Sequence, residues 1–172
     1  MKIFLRPITK DDSDLIVKWR NSPNVSKHCF NRNVITNESH LKFYHDYVEA
    51  GLYKQYIVER IEENIGLITY PIATVYLKDI DEANKRCQLC IFTSDDEEWN
   101  TESQAIAVKQ LLEIAFKELK MHKVYSYVFT KYPEEKELLE AAGFEVETRL
   151  NNEIIGEQGV FEDTYRMVKY NQ

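Results

Sequence analysis

The strongest constraint on the fold is a single apolar stripe. From Thr101 the residues Ala105, Val108, Leu111, Leu112, Ala115, Phe116 and Leu119 recur at helical spacing over about 18 positions. A helix with one apolar face needs a second layer to cover it, and the flanking segments supply candidates. Gln55-Tyr56-Ile57-Val58, Ala73-Thr74-Val75-Tyr76-Leu77 and Cys87-Gln88-Leu89-Cys90-Ile91-Phe92 are rich in β-branched and aromatic residues and separated by polar turns. They predict an antiparallel meander, with a turn over Lys78-Asp79-Ile80-Asp81-Glu82-Ala83-Asn84.

The rest of the chain completes an alternation. A strand at about 2–6 precedes Thr9-Lys10-Asp11-Asp12, a capping box with Asp in place of Glu, which opens a helix over about 11–20 bearing Leu15, Ile16 and Trp19. Thr36 or Asn37 caps a second helix with a stripe of Leu41, Tyr44 and Val48, ended by Gly51. After the long helix come a strand at Val124 to Phe129, a helix from Pro133 to Gly143, and strands at Phe144 to Glu147 and Thr164 to Tyr170. The order β-α-α-β-β-β-α-β-α-β-β predicts one α+β domain over residues 1–172: a mixed, mostly antiparallel sheet with about four helices.

Charge and composition exclude several functions. The balance of 22 basic against 29 acidic residues gives −7, the opposite of the basic footprint of nucleic-acid binders. No apolar run reaches the 18 to 20 residues of a membrane span, and the N-terminal segment is too short for a signal-peptide core, so the expected location is cytoplasmic. Three cysteines are too few for a secreted disulfide framework. Cys87 and Cys90, three apart in one strand, point to opposite faces, and no second pair completes a metal site. His40 and His45 diverge by about 140° on a helix, which reads as a solvated face. Five glycines in 172 residues, where about twelve are usual, argue against glycine-rich phosphate loops.

Against this background, Leu5-Arg6-Pro7, Trp19-Arg20-Asn21-Ser22-Pro23, Asp79-Ile80-Asp81, Asn84-Lys85-Arg86-Cys87-Gln88-Leu89, the helix Ala107 to Phe116 and Glu140-Ala141-Ala142-Gly143-Phe144 occur in an order that resembles the GNAT family of N-acetyltransferases, over about residues 3–170. The branch of ribosomal-protein N-terminal acetyltransferases is the most similar in wording. Trp19 to Val25 also looks like the opening of acetyltransferases of nucleotide-linked amino sugars. The resemblance implies transfer of acetyl from acetyl-CoA to a primary amine of a small molecule, amino sugar or peptide N-terminus by direct attack. It places the thioester carbonyl against backbone at Ile91, Phe92 and Thr93, and the pyrophosphate at the start of the long helix, at Asn100, Thr101, Glu102 and Ser103. Arg20, Asn21 and the second helix form the acceptor wall, and His28 is a further substrate-site candidate. Dimers are common among relatives, so a homodimer is an expectation of the resemblance.

The sequence departs from that pattern. Asn100 and Glu102 stand where the family's phosphate loop carries Gly-x-Gly. Thr101-Glu102-Ser103-Gln104 reads as a capping box that would occupy the helix's own donors. Asp95-Asp96-Glu97-Glu98 adds negative charge, and two unit charges 6 Å apart at an effective dielectric of 20 repel by about 3 kcal/mol before screening. Tyr132 replaces the Asn that contacts the CoA arm, and Leu139 replaces the Tyr that acts as general acid, which makes Tyr132 a candidate displaced acid. Gln88 takes the place of a frequent catalytic Glu; the base stays open among Glu59, Asp79 and a water. Tyr44, Tyr47, Tyr56, Tyr70 and Tyr76 are candidates to line a cleft. The alternative reading is a non-catalytic domain of the same fold that has lost acyl-CoA; an enzyme with a different acyl donor is a third.

Overall fold

The computed structural model describes residues 1–64 and 66–172. Seven strands form one sheet: β1 (Lys2–Pro7), β2 (Lys54–Glu62), β3 (Ile68–Asp81), β4 (Arg86–Cys90), β5 (Lys123–Phe129), β6 (Glu145–Ile155) and β7 (Phe161–Tyr170). Their spatial order is β1-β2-β3-β4-β5-β7-β6. Every neighbouring pair is antiparallel except β4 and β5. The helices are α1 (Ser13–Asn21), the single turn α2 (Pro23–Ser26), α3 (Asn37–Phe43), α4 (Thr101–Glu113) and α5 (Pro133–Ala141). The α+β arrangement and the order of elements are those expected from sequence.

The first two helices begin as their side chains dictate. Thr9 and Asp12 form a reciprocal capping box on a 3-10 turn, Lys10–Asp12, that leads into α1. Arg6 locks this corner, with its guanidinium 2.9 Å from Asp12 and 3.1 Å from Glu59. Thr36 caps α3 with Ser39 as its partner. Beyond Phe43 the helix widens into a π-helical stretch, Tyr44–Glu49, which breaks the regular phase. That shift corrects the expected stripe: Tyr44 and Val48 pack inward, while Leu41 is 40% exposed and His40 is buried.

The long helix lies over the sheet and carries much of the core. Ala107, Val108, Leu111 and Ala115 are fully buried with Ile72, Val75, Leu77, Leu89 and Val124 of the strands. Ala105 is a correction: it shares an azimuth with Leu112 but stands exposed near the start of α4, where no element covers it. Between β3 and β4 the turn is shorter than expected, because β3 runs on to Asp81 through an irregular register and Asp81 holds Asn84 at 2.8–2.9 Å. α5 ends at Ala141 and the chain turns at Gly143, whose φ of 91° is a backbone state that side chains resist.

Leu111 is enclosed on all sides, so Leu111→Ala is expected to cost about 3 kcal/mol of folding stability. Urea unfolding followed by circular dichroism measures this, with a change below about 1 kcal/mol contradicting the assigned packing.

Candidate active site

The cleft originates in the one parallel pairing. β4 and β5 are in register at only three positions, Arg86 with Lys123, Cys87 with Val124 and Gln88 with Tyr125. Beyond Gln88 the strands part, and the Ser126 hydroxyl donates to the Leu89 carbonyl at 2.8 Å in place of a ladder bond. The chain leaving β4 is fastened by side chains: Trp99 Nε1 donates to the Ile91 carbonyl at 3.0 Å, and the Thr93 hydroxyl to the carbonyls of Ile91 and Thr74. The N–H groups of Phe92 and Thr93 make no hydrogen bond among the described residues.

Two cavities meet at this opening. One, of about 370 Å³, is walled by α1, α3 and the faces of β2 and β3. The other, of about 230 Å³, lies between the diverging strands. Arg20, Cys29, Asn31, Tyr76, Phe92 and Thr93 border both. The larger falls within the size range of small-molecule sites.

The segment between α1 and α3 forms the outer wall. Asn21 does not face either cavity. Its side-chain amide makes both backbone hydrogen bonds of Ile35, at 2.7 and 2.9 Å, and so clamps the returning chain. This corrects Asn21 from a substrate contact to a support for Ile35, which does line the larger cavity. Arg20 lines both cavities; its Nη2 donates to the Asn31 carbonyl, and its Nη1 is buried without a partner. His28 borders the smaller cavity, with Nδ1 against Oε1 of Glu135, a contact not angled as a hydrogen bond. Burial pushes the Glu135 carboxyl up and the His28 ring opposes this. Tyr132 lines neither cavity, and its ring lies 4.4 Å from that of His28. Leu139 is wholly in the core.

Gln88 lies on the floor of the smaller cavity, 9% exposed, with Nε2 3.7 Å from Cys90 Sγ. Cys87 and Cys90 point to opposite sides as expected: Cys87 joins the core and Cys90 borders the cleft. Burial raises both thiols, Cys87 to about 12 and Cys90 to about 11. The Cys90 charge and then burial raise the Tyr76 hydroxyl well above its ordinary value. Both groups are therefore protonated at neutral pH. Of the two carboxylates left open as a base, Glu59 is engaged by Arg6 and Asp79 is exposed, and neither borders either of these two cavities. Among the five tyrosines expected to line a cleft, only Tyr76 does; Tyr53, unforeseen, joins it.

At the start of α4 the capping box is real but shifted by one residue. Asn100, not Thr101, is the cap: its Oδ1 accepts from the N–H of Glu102 at 3.1 Å and of Ser103 at 3.4 Å, while the Ser103 hydroxyl accepts from Asn100 N–H. Extended backbone at Asn100 (φ −115°) makes it the N-cap, and Thr101 is the first helical residue. Gln104 N–H is taken by the Asn100 carbonyl, so in this first turn only Thr101 N–H lacks an acceptor. Glu102 is largely exposed and 3.0 Å from the Met1 amino group. Of the acidic run, Glu98 pairs with Arg60 at 3.0 Å, Asp96 caps its own turn, and Asp95 and Glu97 are exposed. The open backbone at Phe92 and Thr93 suits the thioester end of an acyl-CoA. At the pyrophosphate end, Thr101 N–H is open, and those of Glu102 and Ser103 would be free only with the Asn100 side chain turned aside.

A sheet split between its fourth and fifth strands, with a cleft at the split and a helix beginning beside it, can seat an acyl-CoA with its thioester at the opened strand, the arrangement of an acyl-CoA-dependent transferase. The Acetyltransferase (GNAT) domain model matches residues 2–145. The chain belongs to the GNAT acetyltransferase family, whose reaction moves acetyl from acetyl-CoA to an amine. A spermidine N-acetyltransferase from Vibrio cholerae, solved with CoA and spermine, superposes with a TM-score of 0.85 at 22% identity, over 98% of this chain and 95% of that one. A K23-Q34 chimera of the Vibrio cholerae spermidine N-acetyltransferase SpeG with hSSAT gives 0.83 at 19% identity, over 99% and 96%. A dodecameric form of the Vibrio cholerae enzyme gives 0.79 at 20%, over 98% and 93%. These likenesses carry the fold. No curated protein matches the chain significantly by sequence.

His40 corrects the solvated reading of the second helix. It is 5% exposed, borders the larger cavity, and has Nδ1 3.0 Å from the Ser13 hydroxyl, whereas His45 stands in solvent beside Glu49. Burial holds the His40 imidazole below its ordinary 6.5, with Asp12 opposing. The unfolded chain therefore takes up this proton more readily, and the contribution of His40 is present above 6.5 and lost as pH falls through the lower folded-state value. His40→Gln is expected to flatten the decline in melting temperature between pH 7 and pH 5; an unchanged slope contradicts the assignment.

Proposed function

We propose that the chain acetylates a small-molecule primary amine seated in the larger cavity. The meeting of the two cavities at Arg20, Cys29, Tyr76, Phe92 and Thr93 carries this reading, because it joins an acceptor chamber to the strand opening where family members hold the thioester. A volume of about 370 Å³ favours one small molecule over the peptide N-terminus implied by the likeness to ribosomal-protein acetyltransferases.

When bound, acetyl-CoA supplies the activated acetyl group, whose C–S bond breaks as the amine N–C bond forms. The N–H groups of Phe92 and Thr93 are positioned to polarise the carbonyl at the strand edge. Gln88 is a neutral amide with no basic site to accept the amine proton, and it serves as a polar contact on the cavity floor. His28 takes the amine proton, directly or through a water. Glu135 lies against Nδ1, which leaves Nε2 as the ring nitrogen for this step, and Tyr132 packs on the ring in a positioning role. Tyr76, held protonated, and the half-buried Cys29 border both cavities and are the donors we assign to the departing thiolate. We also assign Asn100 to Ser103 as a weakened pyrophosphate site, in which Asn100 and Ser103 compete with the ligand for the helix's first donors. A homo-oligomer belongs to the same proposal, supported by the edge strand β6 with its exposed Val146 and Ile155.

Two experiments test these roles. Calorimetry with acetyl-CoA is expected to show micromolar affinity, and Asn100→Gly with Glu102→Gly to strengthen it about tenfold, since both backbone donors and a negative charge change in the ligand's favour. No binding up to millimolar sinks the enzyme reading, and an unchanged double variant sinks the competition argument alone. For proton transfer, His28→Phe keeps the ring stacking and is expected to lower kcat by about 10²-fold, with acetyl-CoA affinity retained. A loss below threefold removes His28 from the chemistry.

A further inference from the structure

We propose that the acceptor amine carries an anionic group, a carboxylate or a phosphate, and that Arg20 is its counter-ion. The inference rests on the acetyl-transfer reading and adds the chemical class of the acceptor. It begins with what the cleft lacks. The chain has 29 acidic residues and a net charge of −7, yet no Asp or Glu borders either cavity. The acidic excess lies elsewhere, in places such as the run at Asp95 to Glu98 and the exposed faces of α5 and β6.

What the cleft holds instead is positive. Arg20 borders both cavities and Lys78 the smaller, and neither makes an ion pair among the described residues. The other ionisable groups on these walls do not compensate: burial keeps the Cys90 and Cys29 thiols protonated, and Tyr76 is likewise neutral. Arg20 satisfies one nitrogen on the Asn31 carbonyl, which carries no charge, and leaves Nη1 buried with no acceptor. Arg20 is half-buried and has no carboxylate partner among the described residues, so the protein supplies no counter-charge here. A ligand oxyanion does, and the planar fork of Arg suits carboxylate or phosphate.

The surroundings fit an amine that is charged at one end and compact. Phe43, Tyr53 and Phe92 give the larger cavity an aromatic lining, with Gln55, Thr74 and Ser39 as neutral polar contacts. A polyamine has the wrong chemistry for these walls. Its remaining ammonium groups would face Arg20 and Lys78 with no carboxylate to receive them. The structure therefore points away from the acceptor class named for the Vibrio cholerae enzymes that share its fold.

The test uses matched pairs on the full chain, without acetyl-CoA, so that it stands apart from the acetyl-transfer reading. Calorimetry compares glucosamine 6-phosphate with glucosamine, and 4-aminobutyrate with butylamine; the first pair probes phosphate and the second carboxylate. At least one anionic member is expected to bind tenfold or more tightly than its neutral partner, and the pair that shows it identifies the group. Spermidine is expected to bind more weakly than either neutral amine. Arg20→Gln should abolish the preference and Arg20→Lys retain part of it, with melting temperatures confirming that both variants fold. The proposal is overturned if neither pair shows a preference, if spermidine binds best, or if Arg20→Gln weakens CoA binding and leaves the preference intact. Thiol release from acetyl-CoA with the same amines is a separate readout: its absence with every amine overturns the acetyl-transfer reading and leaves the charge preference measurable.

Discussion

The three-residue parallel contact between β4 and β5 is the constraint from which the site follows. A longer pairing would seal the sheet, and none would leave β5, β7 and β6 joined to the rest only through the helices and the core. Three registered positions hold the halves together and then stop, so the chain after Cys90 must satisfy its polar groups by other means. Ser126, Trp99 and Thr93 do this with side chains. The carbonyls of Leu89 and Ile91 are thereby occupied, while the N–H groups of Phe92 and Thr93 stay open among the described residues, an arrangement suited to an incoming carbonyl oxygen.

Electrostatics divide the molecule in the same place. The outer surface is acidic, and the cleft walls contain cations, neutral hydroxyls, thiols and amides, with no carboxylate. This separation cannot be inferred from net charge, which gives −7 without saying where the negative charge lies. At the start of α4 the helix end is satisfied by Asn100 and Ser103, so ligand and protein compete for the same N–H groups. A glycine at either missing position would have no side chain to enter that competition. The shortage of glycine thus has a local physical meaning: the chain stabilises this helix start itself.

Much of the fold was legible because local signals agreed with one another. The alternation of periods gave the element order, and Thr9 and Thr36 marked helix starts that the structure keeps. The errors have local causes. Thr101 and Asn100 are both good caps, and the choice between them turned on which residue takes extended backbone. Leu41 and His40 exchanged roles because π-helical winding at Tyr44 alters the phase that a regular period assumes. Of the site, Arg20, His28, Gln88 and the stretch from Ile91 to Thr93 were indicated by motif order, and the structure gathers them at one opening. Glu135 was invisible: it is 107 residues from His28 and sits in a helix rich in glutamates, where only burial singles it out.

By itself the sequence determined the secondary elements, their order and membership in the GNAT family, because helix stripes, strand alternation and caps act over a few residues. Tertiary structure decided which charges meet. The pairing of His28 with Glu135, the clamp of Asn21 on Ile35 and the unpaired guanidinium of Arg20 all depend on segments far apart in the chain. Desolvation and proximity are properties of a folded surface, and no spacing along the chain encodes them. The acidic residues were countable from the start; that the cleft excludes all of them was fixed only when the strands parted and α1 closed over the opening.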